Sequence, residues 1–202
     1  NVTLGGVTVY GGCLGGADAM TIKKISVVRG KLKNPVTKQV RTHGGDISGH
    51  YYPGGYGHVR AYGVDKKGAS LASVASAGGN LSNAWLRAAG HITKVALKAG
   101  KDENKLPVGG SIARSIVRAG VDPETGAAQM SGDVGSVKAA DSIVSSAIVG
   151  AADPGVNGFE GTAIDPTEQY FGSVKKLAHG AAGSIADALI VSSNAIKKLD
   201  AL

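Results

Sequence analysis

The sequence predicts an all-β chain: a right-handed parallel β-helix of short strands with glycine corners and a few inserted loops. Three observations predict it. A short apolar phrase recurs along the chain at intervals near one or two multiples of about 10 to 11 residues. Glycine supplies 32 of the 202 residues, about twice the usual share of roughly 7%. Aromatic residues make up only 4%, so the interior must be filled by small and β-branched side chains.

The repeat is clearest in Gly79–Gly90, Gly90–Gly100 and Gly110–Gly120. Aligned on Leu81, Ile92 and Ile112, the triplets Leu81/Ala84/Leu86, Ile92/Val95/Leu97 and Ile112/Ser115/Val117 occupy matching positions. The template also fits Leu4/Val7/Val9, Ile22/Ile25/Val27, Leu71/Val74/Ser76, Val134/Val137/Ala139, Val174/Leu177/His179, Ile185/Ala188/Ile190 and Ile196/Leu199/Ala201. Alanine-rich runs such as Leu81–Ala99 have good helix propensity, but a helix would have to absorb Gly90 and its neighbours at up to about 1 kcal/mol each. Short strands cut by glycine corners avoid that loss. With two units per coil, about 20 to 22 residues, the chain would make roughly nine coils and a rod about 40 Å long. Residues 1–202 then form one solenoid domain, with about 30–70 as an elaborated side loop and 152–170 as an inserted loop.

Composition excludes several classes. The glycines lack a period of three and there are only 6 prolines, which rules out collagen. A hydrophobic content of 43% and a mean hydropathy of +0.04 are too apolar for a disordered chain. A single cysteine, Cys13, makes neither an intrachain disulfide nor a cysteine metal cluster. No apolar run is long enough for a membrane-spanning helix. The net charge of +7 favours acidic partners. A start at Asn1, without methionine, is the appearance a removed secretion signal or a longer parent chain would leave.

Gly110-Ser-Ile-Ala-Arg-Ser-Ile-Val117, Gly132-Asp-Val-Gly-Ser-Val-Lys-Ala139 and Gly183-Ser-Ile-Ala-Asp-Ala-Leu-Ile-Val191 carry a resemblance. They resemble the repetitive right-handed β-helix proteins of bacterial, planctomycete-like cell surfaces, over about Ile22–Leu202. Insertions like those at 121–126 and 152–161 belong to the same pattern. The resemblance implies a fold and a surface location; no catalytic motif comes with it.

Superposing the repeats places Arg87, Lys98 and Arg118 at one outward position and Lys24, Lys94, Arg114, Lys176 and Lys198 at another. In a solenoid, equivalent positions stack into stripes. Arg87, Lys98, Arg118, Lys94 and Arg114 are thus the candidate polyanion-binding residues, unless they only keep a solvated face soluble. No aromatic residues interleave with them for base stacking, so an anionic polysaccharide or cell-surface polymer is expected rather than nucleic acid. Asp153, Asn157, Glu160 and Asp165 offer oxygen ligands around a glycine turn and form a candidate calcium loop, although Asp-Pro and Asn-Gly are also ordinary turn punctuation. No other cofactor is indicated. Thr42–His58 gathers three of the 5 histidines and half of the 6 tyrosines near Asp46, without a recognised ligand spacing.

No phosphate loop or serine-nucleophile elbow is present. Asn1-Val-Thr3 and Asn80-Leu-Ser82 fit a glycosylation acceptor. The expectation is a non-enzymatic extracellular or cell-surface structural or adhesive solenoid: a surface-layer, matrix or filament subunit that adds copies of itself end to end. Two alternatives stand beside it. One is a β-helical polysaccharide-active enzyme using Asp122, Glu124, Asp133 and Asp141. The other is a passive anionic-glycan-binding module.

Overall fold

A computed structural model describes residues 3–10, 14–48, 57–128, 132–153, 169–170, 172–193, 196 and 198–201. These residues are all-β, without a helix. Three parallel sheets dominate. Sheet A has ten strands, including Thr3–Leu4, Val7–Tyr10, Ile25–Val28, Val74–Ala77, His91–Lys98, Val134–Ala139, Val174–His179 and Lys198–Ala201. Sheet B aligns Ile47–Ser48, Leu81–Ser82, Ile112–Ala113, Ile143–Val144 and Ile185–Ala186. Sheet C aligns Gly16–Ala19, Gly57–Ala61, Ala84–Ala88, Ile116–Ala119, Ala147–Val149 and Leu189–Val191. Along the chain the sheets are visited in the order A, B, C, again and again.

The register explains the apolar phrase. In sheet A, Val7, Ile25, Val74, Val95, Val137, Leu177 and Leu199 face one another from strand to strand. In sheet B the column is Ile47, Leu81, Ile112, Ile143 and Ile185, and in sheet C it is Val59, Leu86, Val117, Ile148 and Ile190. Ile22, Leu81 and Leu86, one from each sheet, belong to a single buried core cluster. Each fully buried side chain of this size contributes about 1.5–3 kcal/mol. Trp85 faces outward, as a narrow interior of aliphatic columns requires.

The superposition of repeats needs one correction. Leu81 and Ile112 are register partners, but Ile92 lies in sheet A, opposite Leu71 and Val134. The two kinds of unit share a pattern because every strand buries alternate residues, so the pattern alone does not distinguish the sheets. Among the described residues the longest run of stacked strands in sheet A, from Val7–Tyr10 to Lys198–Ala201, has seven members.

Gly30–Lys33 pairs antiparallel with Val40–His43, Gly100–Lys101 with Pro107–Val108, and Ala152–Asp153 with Gln169–Tyr170. Residues 30–70 are thus only partly a side loop, since Ile47–Ser48 joins sheet B and Gly57–Ala61 joins sheet C.

Corners differ from expectation too. Between sheets B and C the chain turns through Asn83, Arg114, Ser145 and Asp187, at φ of 46°, 47°, 48° and 48°, and none is glycine. A left-handed conformation costs such residues roughly 1–2 kcal/mol. Buried serines beside the corner support it. Ser115 Oγ accepts from Ala84 N–H at 3.2 Å, and Ser146 Oγ accepts from Ser115 N–H at 3.2 Å. Elsewhere glycine is required by close approach: a Cβ on Gly172 would run into the carbonyl of Gly132.

Candidate functional site

Cations concentrate on two faces. On sheet C, Arg60, Arg87 and Arg118 face one another on three adjacent strands. Like charges directly opposite repel, so the column needs acceptors. The turn between Val121 and Ala128 supplies them. Arg87 Nη1 donates to the Glu124 carbonyl at 2.8 Å, and Arg60 Nη1 donates to Glu124 Oε1 at 3.0 Å. Tyr62 donates its hydroxyl hydrogen to the same Oε1 at 2.8 Å. Arg118 Nη2 donates to the Ala152 carbonyl at 3.2 Å, which ties a second insertion to the sheet. The Arg87 guanidinium also lies 4.2 Å over the Trp85 ring, against which His58 packs edge-on at 5.4 Å.

The electrostatics follow from this crowding. Burial, then the neighbouring Arg118 and Arg60 charges, lower the Arg87 pKa. Burial and the charges of Arg60 and Arg87 hold the His58 imidazole below its ordinary 6.5. Burial and the bond donated to Glu124 push the Tyr62 phenol up. The arginine column is therefore already engaged in holding loops to the sheet.

Sheet A is different. Lys94, Ser136, Lys176 and Lys198 are register partners, and the pairing of Ile25 with Val74 and Val74 with Val95 puts Lys24 and Ser73 in the same row. Lysine and serine alternate from Lys24 to Lys176, so the first three lysines stand on every second strand, about 10 Å apart. Lys24, Lys94 and Lys198 are exposed. Lys98 and Lys138 project from the same sheet. At the sheet's edge, burial would raise the Asp133 carboxyl, but Lys175 Nζ at 2.6 Å and the Ser173 N–H at 2.9 Å keep it below its usual 3.8.

The predicted residues therefore separate. Arg87 and Arg118 share a column, Lys98 lies in sheet A opposite Ala77, and Arg114 occupies a B-to-C corner with its side chain exposed. Lys24, Lys94, Lys176 and Lys198 are brought together. Arg60 was missed by sequence reasoning, although His58-Val-Arg60-Ala61, Trp85-Leu-Arg87-Ala88 and Ile116-Val-Arg118-Ala119 share one phrase. It was hidden because residues 30–70 were set aside as a loop.

Of the candidate calcium loop, Asp153 lies at the end of a strand, and Asn157, Glu160 and Asp165 lie outside the described residues. Among the described residues no group of three or more His, Cys, Asp or Glu side chains converges. Of the histidine–tyrosine segment, Asp46 Oδ1 accepts from Asn80 N–H at 2.7 Å, while His50, Tyr51, Tyr52 and Tyr56 lie outside the described residues. The four candidate catalytic carboxylates have structural partners: Asp122 Oδ1 accepts from Glu124 and Thr125 N–H, and Asp141 Oδ2 accepts from Ser111 Oγ at 2.7 Å. Glu124 and Asp133 are bonded as described above. No helix of the described residues is long and apolar enough to cross a membrane.

The chain matches no protein-family model, no curated protein and no solved structure.

Proposed function

We propose that the protein is a non-enzymatic, extracellular structural solenoid that holds an anionic polysaccharide or cell-surface polymer along its lysine-bearing sheet. The observation that carries this reading is the row Lys24, Lys94, Lys176 and Lys198, aligned across sheet A with Ser73 and Ser136 between them. Lys24, Lys94 and Lys176, each two strands apart, present charge at intervals of about 10 Å to a chain of repeating anionic groups. Ammonium groups on flexible stems accept varied anion positions, whereas Arg87 and Arg118 are bonded to loop carbonyls.

The solenoid reading is supported by the repeated A, B, C order and by the core the three sheets share. A right hand is the expectation for it, because parallel connections within one sheet are right-handed in about 98% of cases. The surface location is supported by the resemblance of the Gly110, Gly132 and Gly183 runs to repetitive surface β-helix proteins.

The test is retention on immobilised polygalacturonate over a salt gradient. Wild type is expected to elute at moderate salt, because exposed charge pairs are screened. A Lys94→Gln/Lys176→Gln variant should elute clearly earlier. Unchanged elution overturns the reading.

A further inference from the structure

A second concentration of positive charge lies at the carboxyl end of sheet A, outside the lysine row. Two hairpins leave the sheet there: Gly30–Lys33 with Val40–His43 follows Ile25–Val28, and Gly100–Lys101 with Pro107–Val108 follows His91–Lys98. Val74–Ala77 pairs with both parent strands, so these strands stand two levels apart, about 10 Å. The space between the hairpins has a volume of about 510 Å³, within the roughly 300–1,000 Å³ of small-ligand sites. Val40 and Ala77 give it an apolar lining, and Arg29, Lys31, Lys101 and Lys105 bring positive charge to it.

Arg29 is held in place but not saturated. Its Nη1 donates to the Gly78 carbonyl and its Nη2 to the Thr42 carbonyl, both at 3.3 Å. A guanidinium has five donors. Arg29 Nε and Thr42 Oγ1 are buried without a hydrogen-bond partner, as are the Nε atoms of Arg87 and Arg118. Among the described residues, none of Arg29, Lys31, Lys101 and Lys105 forms an ion pair. Two carboxylates also line the space. Asp102 is turned into its own loop, with Oδ1 accepting from Asn104 and Leu106 N–H at 2.8 Å, and Glu103 is exposed. Four cations thus outnumber two carboxylates, one of them engaged.

We infer that this cleft binds a carboxylate-bearing sugar unit of the acidic polymer, an inference that rests on the function proposed above. The carboxylate takes the cationic wall of Arg29, Lys31 and Lys105, and the C–H face of the ring lies on Val40 and Ala77.

The probe is trigalacturonate, titrated calorimetrically into the whole chain beside its methyl ester and inorganic sulfate. The acid should bind at least about tenfold more tightly than the ester, as loss of charge-assisted bonds implies. A Lys31→Gln/Lys105→Gln variant should lose about tenfold for the acid, and its thermal unfolding should be unchanged because both lysines are exposed. A Lys66→Gln/Lys67→Gln variant, which removes two exposed lysines outside both the row and the cleft, should bind the trimer as wild type does. Equal binding of acid and ester overturns the inference, as does an unaffected cleft variant. Displacement of the trimer by sulfate at equal concentration overturns the sugar assignment and leaves a free oxyanion as the ligand. If wild type retains polygalacturonate but does not bind the trimer, the cleft fails alone; if the trimer binds and Lys94→Gln/Lys176→Gln elutes from polygalacturonate as wild type does, the sheet reading fails alone.

Discussion

Arg60, Arg87 and Arg118 on sheet C and Lys24, Lys94, Lys176 and Lys198 on sheet A are both rows of like charge in parallel register. Inserted loops reach over the arginines and offer them the carbonyls of Glu124 and Ala152 and a carboxylate. Lys24, Lys94 and Lys176 alternate with Ser73 and Ser136 within their own row, and Lys198 adjoins Lys176. The guanidinium fork suits several fixed acceptors at once, whereas an ammonium is a single mobile charge. The difference teaches that equal rows of cations need not share a role: Arg87 and Arg118 tie insertions to the sheet, whereas Lys24 and Lys94 stand exposed on it.

Substitutions on the two sheets should separate these roles, and the largest effect lies in the core beneath both. Leu86→Ala, under the arginine column, should lower unfolding free energy by about 2–5 kcal/mol in a denaturant titration. A loss far below this would mean that the sheet C column is loosely packed. Ser115→Ala should cost about 1–3 kcal/mol, because it leaves the buried Ala84 N–H without its acceptor; a neutral result would show that the B-to-C corner is held otherwise.

Arg87→Ala should cost about 1–2 kcal/mol through its bonds to the loop. It should also raise hydrogen exchange at Glu124 and Thr125, whereas Lys94→Gln should move stability by less than about 0.5 kcal/mol and leave exchange alone. If the two substitutions behave alike, the contrast between the sheets is wrong.

Acid should distinguish the faces by pH window, with the smallest effects. The folded protein binds a proton at His58 less readily than the unfolded chain, because its value is lowered from 6.5. Stability from this site is therefore present above 6.5 and lost as pH falls through that range towards the lowered value. Asp133 is lowered from 3.8, so its contribution persists above 3.8 and is lost only on further acidification. Denaturant midpoints should show a decline from pH 7 to 5 that His58→Gln flattens, and a separate decline below about pH 4 that Asp133→Asn flattens. A single decline common to both variants would contradict the assignment.

Much of sheet A was legible in the sequence. Leu4/Val7/Val9, Ile22/Ile25/Val27, Leu71/Val74/Ser76, Ile92/Val95/Leu97, Val134/Val137/Ala139 and Val174/Leu177/His179 are its columns, picked out by apolar spacing alone. Sheets B and C were blurred into them because Leu81/Ala84/Leu86 has the same spacing. Ile143/Ser146/Ile148 and Ile47/Val59 were missed, the first because it adjoins another unit and the second because an insertion separates its parts. The same blurring joined Lys98 to Arg87 and Arg114 to Lys94. The non-glycine corners at Asn83, Arg114, Ser145 and Asp187 carried only a faint local signal: Asn and Asp tolerate this conformation, and Ser115 and Ser146 donate across their own corners to the Ala113 and Val144 carbonyls while accepting from neighbouring strands.

By itself, then, the sequence determined that this protein is β-structured, that short aliphatic phrases fill its interior, and that its charge is positive. Those properties follow from the period of side chains along a strand and from composition, both of which are local. Only the tertiary structure decided which cations stand side by side, which are covered by an insertion, and which hairpins enclose a cleft. Insertions of unequal length separate residues that are one strand spacing apart in space, so register between strands cannot be counted along the chain.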